Sequence, residues 1–160
     1  AATLAISSLP LTGLDISKNA LEIFKRECEG KCKVLQGSIF DIPLTDGSVD
    51  GIYNLGVMEH FTEEEIRKIL ENFIRVLKVN GKVVLFWPPD FGLSVIFLGI
   101  VKRILRPFAK KKIQFFPDEI SRIHSKKFAY EILAKSNFKV VEYYFGIRDI
   151  FTYCVLVGEK

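Results

Sequence analysis

The stretch that decides the fold runs from residue 49 to residue 88 and reads VDGIYNLGVMEHFTEEEIRKILENFIRVLKVNGKVVLFWP. Its first part, 49–55, is a β-rich run, and a second apolar run at 82–87 ends before two prolines. Between these runs lies a segment whose apolar residues recur at intervals of three and four, which is typical of an amphipathic helix. The stretch therefore predicts a strand, a helix and a second strand in that order.

Both ends of the predicted helix carry specific signals. Thr62-Glu63-Glu64-Glu65 is a capping box, in which the Thr62 hydroxyl accepts a hydrogen bond from the Glu65 amide and the Glu65 carboxylate reaches back. Asn80-Gly81 supplies the left-handed residue that stops a helix. We therefore expect the helix to begin after Thr62, to include Leu77 and to end at Asn80-Gly81.

The same alternation continues on both sides of this stretch. Upstream, we predict strands at 11–16 and 33–37, separated by a helix that Ser17 caps and that ends at Gly30. Downstream, Ser125 can cap another helix. Strands that alternate with helices predict an α/β fold with a mostly parallel sheet that is covered on both faces.

The C-terminal end of the chain departs from this alternation. Two β-rich runs at 139–146 and 150–158 are joined by only three residues, too few for a helical crossover. They therefore predict an antiparallel hairpin. The length suits a single domain over residues 1–160, with an irregular, apolar and basic insertion at about 88–124.

Composition and charge place the chain among globular proteins, with 49% hydrophobic residues, 26% charged residues and a net charge of +4. Basic residues cluster at 102–112 with no acidic residue among them, which favours either an anionic partner or a solvated helix face. No nucleic-acid recognition motif accompanies the cluster, which argues against nucleic acid. The apolar run 91–101 is too short to span a membrane, but 91–112 could lie on an anionic membrane surface.

The three cysteines are Cys28, Cys32 and Cys154. An odd number of cysteines and the lack of a secretory signal predict free thiols and a cytoplasmic location. No further Cys or His lies near Cys28 and Cys32 in the sequence, so we expect no metal site.

Three segments in order carry a resemblance to a known family: LTGLDIS at 11–17, VLQGSIFDIPLTDGSVD at 34–50 and GVMEH at 56–60. With the helix end at 75–82, they resemble class I S-adenosylmethionine-dependent methyltransferases of the type 11-like group. The resemblance covers most of residues 1–88 and 125–160. It implies a Rossmann-like, doubly wound sheet with a C-terminal antiparallel hairpin, and S-adenosylmethionine as the cofactor.

The resemblance also implies which residues bind the adenosine part of the cofactor. Asp15, followed by Ile16 and Ser17, stands at the carboxyl end of a strand, where it would accept the ribose hydroxyls. The alternative is that Asp15 only caps the following helix. Ser38 and Ile39 would contact the adenine, although Ser38 replaces the acidic residue that is usual in the family and would bind more weakly.

The resemblance implies that the residues at the end of the next strand bind the methionine part of the cofactor and the methyl acceptor. Asn54, Leu55 and Gly56 would line the methionine part. Glu59 and His60 would face the acceptor, and the imidazole of His60 could take a proton from it. The alternative is that Glu59 and His60 only arrange the loop before the next helix.

One departure from the family concerns its glycine-rich cofactor loop. The sequence contains no Gly-x-Gly, and nothing before Thr3 can be the family's first strand, which lies between the strands represented here by 11–16 and 49–55. Because the loss of a central strand would leave buried backbone groups unpaired, we expect that the given sequence lacks that strand and loop.

The resemblance implies methyl transfer to a small or lipid-like acceptor, with 88–124 as a lid or acceptor-site cover. Catalysis would be chiefly an alignment of the reacting groups. The alternative is a non-catalytic interaction module of the same fold, which the missing loop and Ser38 favour. Either reading is compatible with a peripheral membrane contact through 91–112.

Overall fold

The computed structural model describes residues 10–92, 120–147 and 151–160. The chain divides into two compact units, Ala1–Leu44 and Thr45–Lys160, which we call the N-terminal unit and the C-terminal unit. The predicted single domain over 1–160 stays a prediction. Residues 93–119 lie outside the described residues, and with them most of the predicted insertion and of the membrane-contact segment.

The N-terminal unit has a strand, a helix and a strand in the predicted order. These are β1 (Thr12–Asp15), α1 (Lys18–Glu27) and β2 (Lys33–Gln36), with β1 and β2 paired in parallel. The helix begins where predicted because the Ser17 hydroxyl accepts a hydrogen bond from the Ala20 amide at 3.3 Å. A Cβ atom on Gly13 would lie 2.7 Å from the Phe24 ring, so only glycine lets α1 approach β1 this closely.

The connection from α1 to β2 corrects the prediction of three free thiols. Glu29 and Gly30 both have positive φ, at 53° and 74°, and turn the chain back on itself. This turn brings the α-carbons of Cys28 and Cys32 to 5.7 Å, and the two residues form a disulfide. Sequence spacing alone does not reveal two consecutive left-handed residues. Cys154 is buried and forms no disulfide.

The C-terminal unit is built on a mixed sheet. Its described elements are β3 (Val49–Leu55), a 3-10 turn (Met58–His60), α2 (Glu63–Val76), β4 (Leu77–Trp87), α3 (Lys126–Lys135), β5 (Lys139–Tyr144) and β6 (Cys154–Glu159). The strand order is β3-β4-β6-β5. β3 and β4 are parallel, whereas β6 is antiparallel to both β4 and β5, which confirms the predicted hairpin.

The capping box of α2 is present as predicted, but the predicted end of this helix is wrong. Thr62 Oγ1 accepts from the Glu65 amide at 3.3 Å, and Glu65 Oε2 accepts from the Thr62 amide at 2.8 Å. The helix ends at Val76. Asn80 is in the left-handed conformation, with φ of 63°, but it lies inside β4. The pairing of β3 with β4 shifts register there, between Val49 and Gly51.

The core of the C-terminal unit combines side chains of both helices with side chains of the inner strands. Its members include Ile66, Ile69, Leu70, Phe73, Val83, Leu85, Trp87, Leu133 and Leu156. The Trp87 ring meets the Phe128 ring edge to face at a centroid distance of 5.9 Å. The indole Nε1 of Trp87 donates to the Ser121 carbonyl at 3.4 Å, so the core also holds the segment that precedes α3. In the part of the chain that the structure describes, every helix is too short or too polar to cross a membrane.

Candidate functional site

The carboxyl end of β3 carries a buried polar side chain without a partner. Asn54 is only 7% exposed, and its Oδ1 atom accepts no hydrogen bond from any residue that the structure describes. A buried acceptor left in this state costs about 1–3 kcal/mol of stability. Buried polar groups are usually paired, so an unpartnered one at a strand end is a candidate ligand contact. The neighbouring Leu55 is exposed.

Gly56 ends this strand in a conformation that favours glycine, with φ of 66°. Its amide donates to the Phe86 carbonyl at 3.1 Å, which fixes the backbone at this point. A Cβ atom on Gly56 would lie 3.3 Å from Glu59 Oε1 and 3.7 Å from the Tyr153 hydroxyl oxygen. Two oxygen atoms therefore lie close to the glycine, and a side chain at this position would crowd the Glu59 carboxylate.

Glu59 and His60 lie in the 3-10 turn that follows. Glu59 is buried, and its carbonyl accepts from the amides of Ile120 and Ser121 at 2.6 and 3.0 Å. The Ser121 hydroxyl donates to the Met58 carbonyl at 3.0 Å, so residues 120–121 hold the turn in place. His60 is half-buried. The structure thus places Glu59 close to Gly56, and the catalytic roles of Glu59 and His60 stay predictions.

The end of β1 places the predicted ribose contacts on an exposed turn. Asp15 Oδ1 accepts from the Ser17 amide at 2.8 Å, and Ser17 itself is the N-cap of α1. Asp15 therefore orders the turn before the helix but is not its cap. The Gln36 side chain donates to the Ile16 carbonyl at 3.1 Å and links the ends of β1 and β2. The assignment of Asp15, Ile16 and Ser17 to the cofactor stays a prediction.

Ser38 and Ile39 form a tight turn after β2. The Ser38 hydroxyl oxygen accepts from the Phe40 amide at 3.2 Å, and the Asp41 amide donates to the Ser38 carbonyl at 3.1 Å. A serine hydroxyl keeps a second lone pair and its own proton, so Ser38 can still bind a polar ligand. Ser38 and Ile39 are half-buried, and their adenine contact also stays a prediction.

Two residues that contact the predicted site residues, Tyr153 and Gln36, were not identified from the sequence. Tyr153 precedes β6, and it comes near Gly56 only because β4 lies between β3 and β6 in the sheet. Nothing in the local sequence indicates this placement. Gln36 ends β2 directly opposite Asp15, and the predicted pairing of the two strands could have identified it. Within the described ranges, no three His, Cys, Asp or Glu side chains are grouped so that they could hold a metal ion.

A comparison with protein families matches residues 1–85 to the model of a methyltransferase domain. No curated protein matches the chain. The solved structures give many matches. One is an S-adenosylmethionine-dependent methyltransferase from Methanosarcina mazei, 18% identical, with a TM-score of 0.67 over 93% of this chain and 81% of that chain.

Two further matches are enzymes with bound S-adenosylhomocysteine. Magnesium protoporphyrin IX methyltransferase from Synechocystis PCC 6803 is 15% identical, with a TM-score of 0.67 over 96% of this chain and 65% of that chain. A 1,6-didemethyltoxoflavin-N1-methyltransferase from Burkholderia thailandensis is 11% identical, with a TM-score of 0.63 over 93% of this chain and 60% of that chain. The chain thus spans less than two-thirds of these two enzymes. At these identities the matches show a shared fold.

Proposed function

Because the chain belongs to the family of class I S-adenosylmethionine-dependent methyltransferases, we propose that it transfers a methyl group to a small or lipid-like acceptor. The observation that carries this proposal is the end of β3, where Asn54 has a buried oxygen atom without a hydrogen-bond partner among the described residues. S-adenosylmethionine supplies an electrophilic methyl group on a sulfonium sulfur. The residues present fit this cofactor, since its methionine part carries an ammonium group that can donate to Asn54 Oδ1.

The roles of the binding residues follow from their contacts. Asn54, Leu55 and Gly56 would hold the methionine part, with Asn54 accepting from its ammonium group. One carboxylate oxygen of Asp15 accepts a hydrogen bond from the Ser17 amide, and the other would accept a hydrogen bond from a ribose hydroxyl. Ile16 and Ser17 would support this contact, while Ser38 and Ile39 would bind the adenine.

On the acceptor side, Glu59 and His60 would orient the nucleophile. The acceptor atom attacks with a lone pair and gains positive charge, so a proton that it carries would leave during or after the transfer. The His60 imidazole would be the group that takes such a proton. Positioning supplies most of the remaining rate enhancement.

The finer description of the fold is also part of the proposal. We propose a Rossmann-like, doubly wound arrangement, which the parallel pairing of β1 with β2 and of β3 with β4 supports. We further propose a cytoplasmic location. The Cys28–Cys32 disulfide removes part of the support for that location, which the buried thiol of Cys154 still favours.

Calorimetric titration of the purified chain with S-adenosylhomocysteine tests the proposal. We expect saturable binding that Asn54→Leu weakens about tenfold, because this substitution removes a hydrogen bond to a charged group. Asp15→Asn should weaken binding less, since the amide oxygen can still accept from the Ser17 amide. Asn72→Leu in α2 and Glu22→Gln in α1 are the matched controls and should bind like the wild type. A folded wild-type chain that does not bind would contradict a cofactor site formed by these residues.

A further inference from the structure

We propose that the Cys28–Cys32 disulfide is a redox switch, which a thiol reductant opens and a disulfide oxidant closes. The state of this switch sets how firmly the ends of β1 and β2 hold the adenosine part of the cofactor. This effect on the cofactor rests on the proposed function, whereas the exchange of the disulfide does not.

The disulfide lies beside an exposed turn. Cys28 ends α1, Cys32 precedes β2, and both residues are half-buried. The three residues between them are exposed, and apart from its chain neighbours no described residue has an atom within 4 Å of a Cβ atom on Gly30. Exchange requires a thiolate to approach a sulfur atom, so an accessible disulfide exchanges more readily than one in a core. The open turn therefore favours reaction with a thiol from solution.

Backbone hydrogen bonds hold the turn independently of the bond between the sulfur atoms. The Gly30 amide donates to the Lys25 carbonyl at 2.9 Å. The Lys31 amide donates to the Cys28 carbonyl at the same distance. Because these hydrogen bonds need no disulfide, the two thiols of the reduced turn stay close together at a high effective concentration. The disulfide can therefore re-form after reduction, as a reversible switch requires.

The exchange itself transfers two electrons. A thiolate of the reductant attacks one sulfur of the pair, the sulfur–sulfur bond breaks, and its electron pair leaves on the other cysteine sulfur, which takes a proton. A second thiolate of the reductant then displaces the protein from the mixed disulfide. The protein thus gains two electrons and two protons, and the reductant becomes a disulfide. Oxidation follows the same steps in reverse.

Reduction loosens the strand pair that carries the predicted adenosine contacts. Cys32 leads directly into β2, and the last residue of β2, Gln36, is paired with Asp15 of β1. The Gln36 side chain also donates to the Ile16 carbonyl at 3.1 Å. Only two hydrophobic side chains are buried in the described part of the N-terminal unit, so packing does little to replace the lost link. Local opening then becomes easier, and ligand affinity falls in proportion to the fraction of chains that stay closed.

Mass spectrometry after alkylation of the thiols tests the exchange. The purified chain is equilibrated first with glutathione in which the reduced form is in large excess, and then with oxidised glutathione. We expect most chains to lose the Cys28–Cys32 disulfide in the first buffer and to regain it in the second. A disulfide that persists in the first buffer, or that is lost only when the chain unfolds by circular dichroism, would overturn the inference.

Calorimetry with S-adenosylhomocysteine tests the effect on the cofactor. The reduced chain should bind about threefold more weakly than the oxidised chain. The double variant Cys28→Ser/Cys32→Ser is the matched control and should bind like the reduced chain in both buffers. Equal affinities of the two wild-type forms would overturn the effect on the cofactor. A chain that exchanges its disulfide but binds no ligand in either form would contradict the proposed cofactor site while confirming the redox exchange.

Discussion

The ends of β1 and β3 are both followed by a turn and a helix, but they hold their polar groups differently. At the end of β1, Asp15 is exposed and its carboxylate is engaged with the Ser17 amide. At the end of β3, Asn54 and Glu59 are buried, and Asn54 Oδ1 has no partner among the described residues. The first arrangement orders a local turn, whereas the second leaves the Asn54 Oδ1 atom in the core, where a ligand could donate a hydrogen bond to it.

The two units also differ in how many hydrophobic side chains they bury. Among the described residues of the N-terminal unit, two hydrophobic side chains are buried, Leu21 and Ile42, against seventeen in the C-terminal unit. The N-terminal unit instead has a covalent link between α1 and β2. The C-terminal unit thus depends on packing and the N-terminal unit on local links.

The largest expected effect comes from the larger core. Trp87→Ala should lower the free energy of unfolding by about 3–5 kcal/mol, because a fully buried indole and its contact with Phe128 are lost. Leu21→Ala in the N-terminal unit should cost about 2 kcal/mol, since few neighbours surround it. Urea denaturation of both variants measures the difference. Equal losses would contradict the contrast between the units.

Reduction of the Cys28–Cys32 disulfide should have the next largest effect. The bond closes a short loop, and its loss should cost about 2 kcal/mol through the entropy of the unfolded chain. Hydrogen exchange with and without a reducing agent should show faster exchange in α1 and β2, with β4 and β6 unchanged. The double variant Cys28→Ser/Cys32→Ser should match the reduced protein, and faster exchange throughout the C-terminal unit would refute a local role.

Removal of one helix cap in each unit should have a smaller effect on the free energy of unfolding. Thr62→Ala should cost about 1 kcal/mol, since Thr62 and Glu65 exchange hydrogen bonds at the start of α2. Ser17→Ala should cost less, because the residue three positions after Ser17 is Ala20, which has no side-chain acceptor to complete a capping box. Thermal denaturation of the two variants gives the order, and a larger loss for Ser17→Ala would contradict it.

The smallest effect concerns alkaline pH. Burial, and then the hydrogen bond with Cys154, raise the pKa of Tyr143 above its ordinary value of 10.0. Since the folded-state pKa is the higher one, the stabilisation is complete below pH 10 and is lost as the pH rises above it. Tyrosinate absorbance should show one late-titrating tyrosine that Tyr143→Phe removes and Tyr130→Phe does not. A late titration that persists in Tyr143→Phe would contradict this assignment.

Much of the fold could be predicted from the sequence because its signals are local. The caps Ser17, Thr62 and Ser125 each begin a helix in the structure, and the three-residue connection predicted the hairpin. The end of α2 was mispredicted because Asn80 satisfies the same left-handed requirement inside β4. The disulfide was missed because it depends on the backbone angles of two residues.

The candidate site could be predicted only in part. Strand ends are readable from the sequence, so Asp15, Asn54 and Gly56 could be placed at or next to strand ends, while their roles stay predictions. The approach of Tyr153 to Gly56 could not be predicted, since it depends on which strands are neighbours in the sheet. The unpartnered state of Asn54 Oδ1 likewise depends on packing.

The most direct test of the central claim is a crystal structure of the chain with S-adenosylhomocysteine. The account predicts that the ammonium group of the ligand donates a hydrogen bond to Asn54 Oδ1 and that the sulfur lies beside Gly56. A ligand bound elsewhere, with Asn54 Oδ1 still without a partner, would contradict the assignment of the β3 end as the cofactor site.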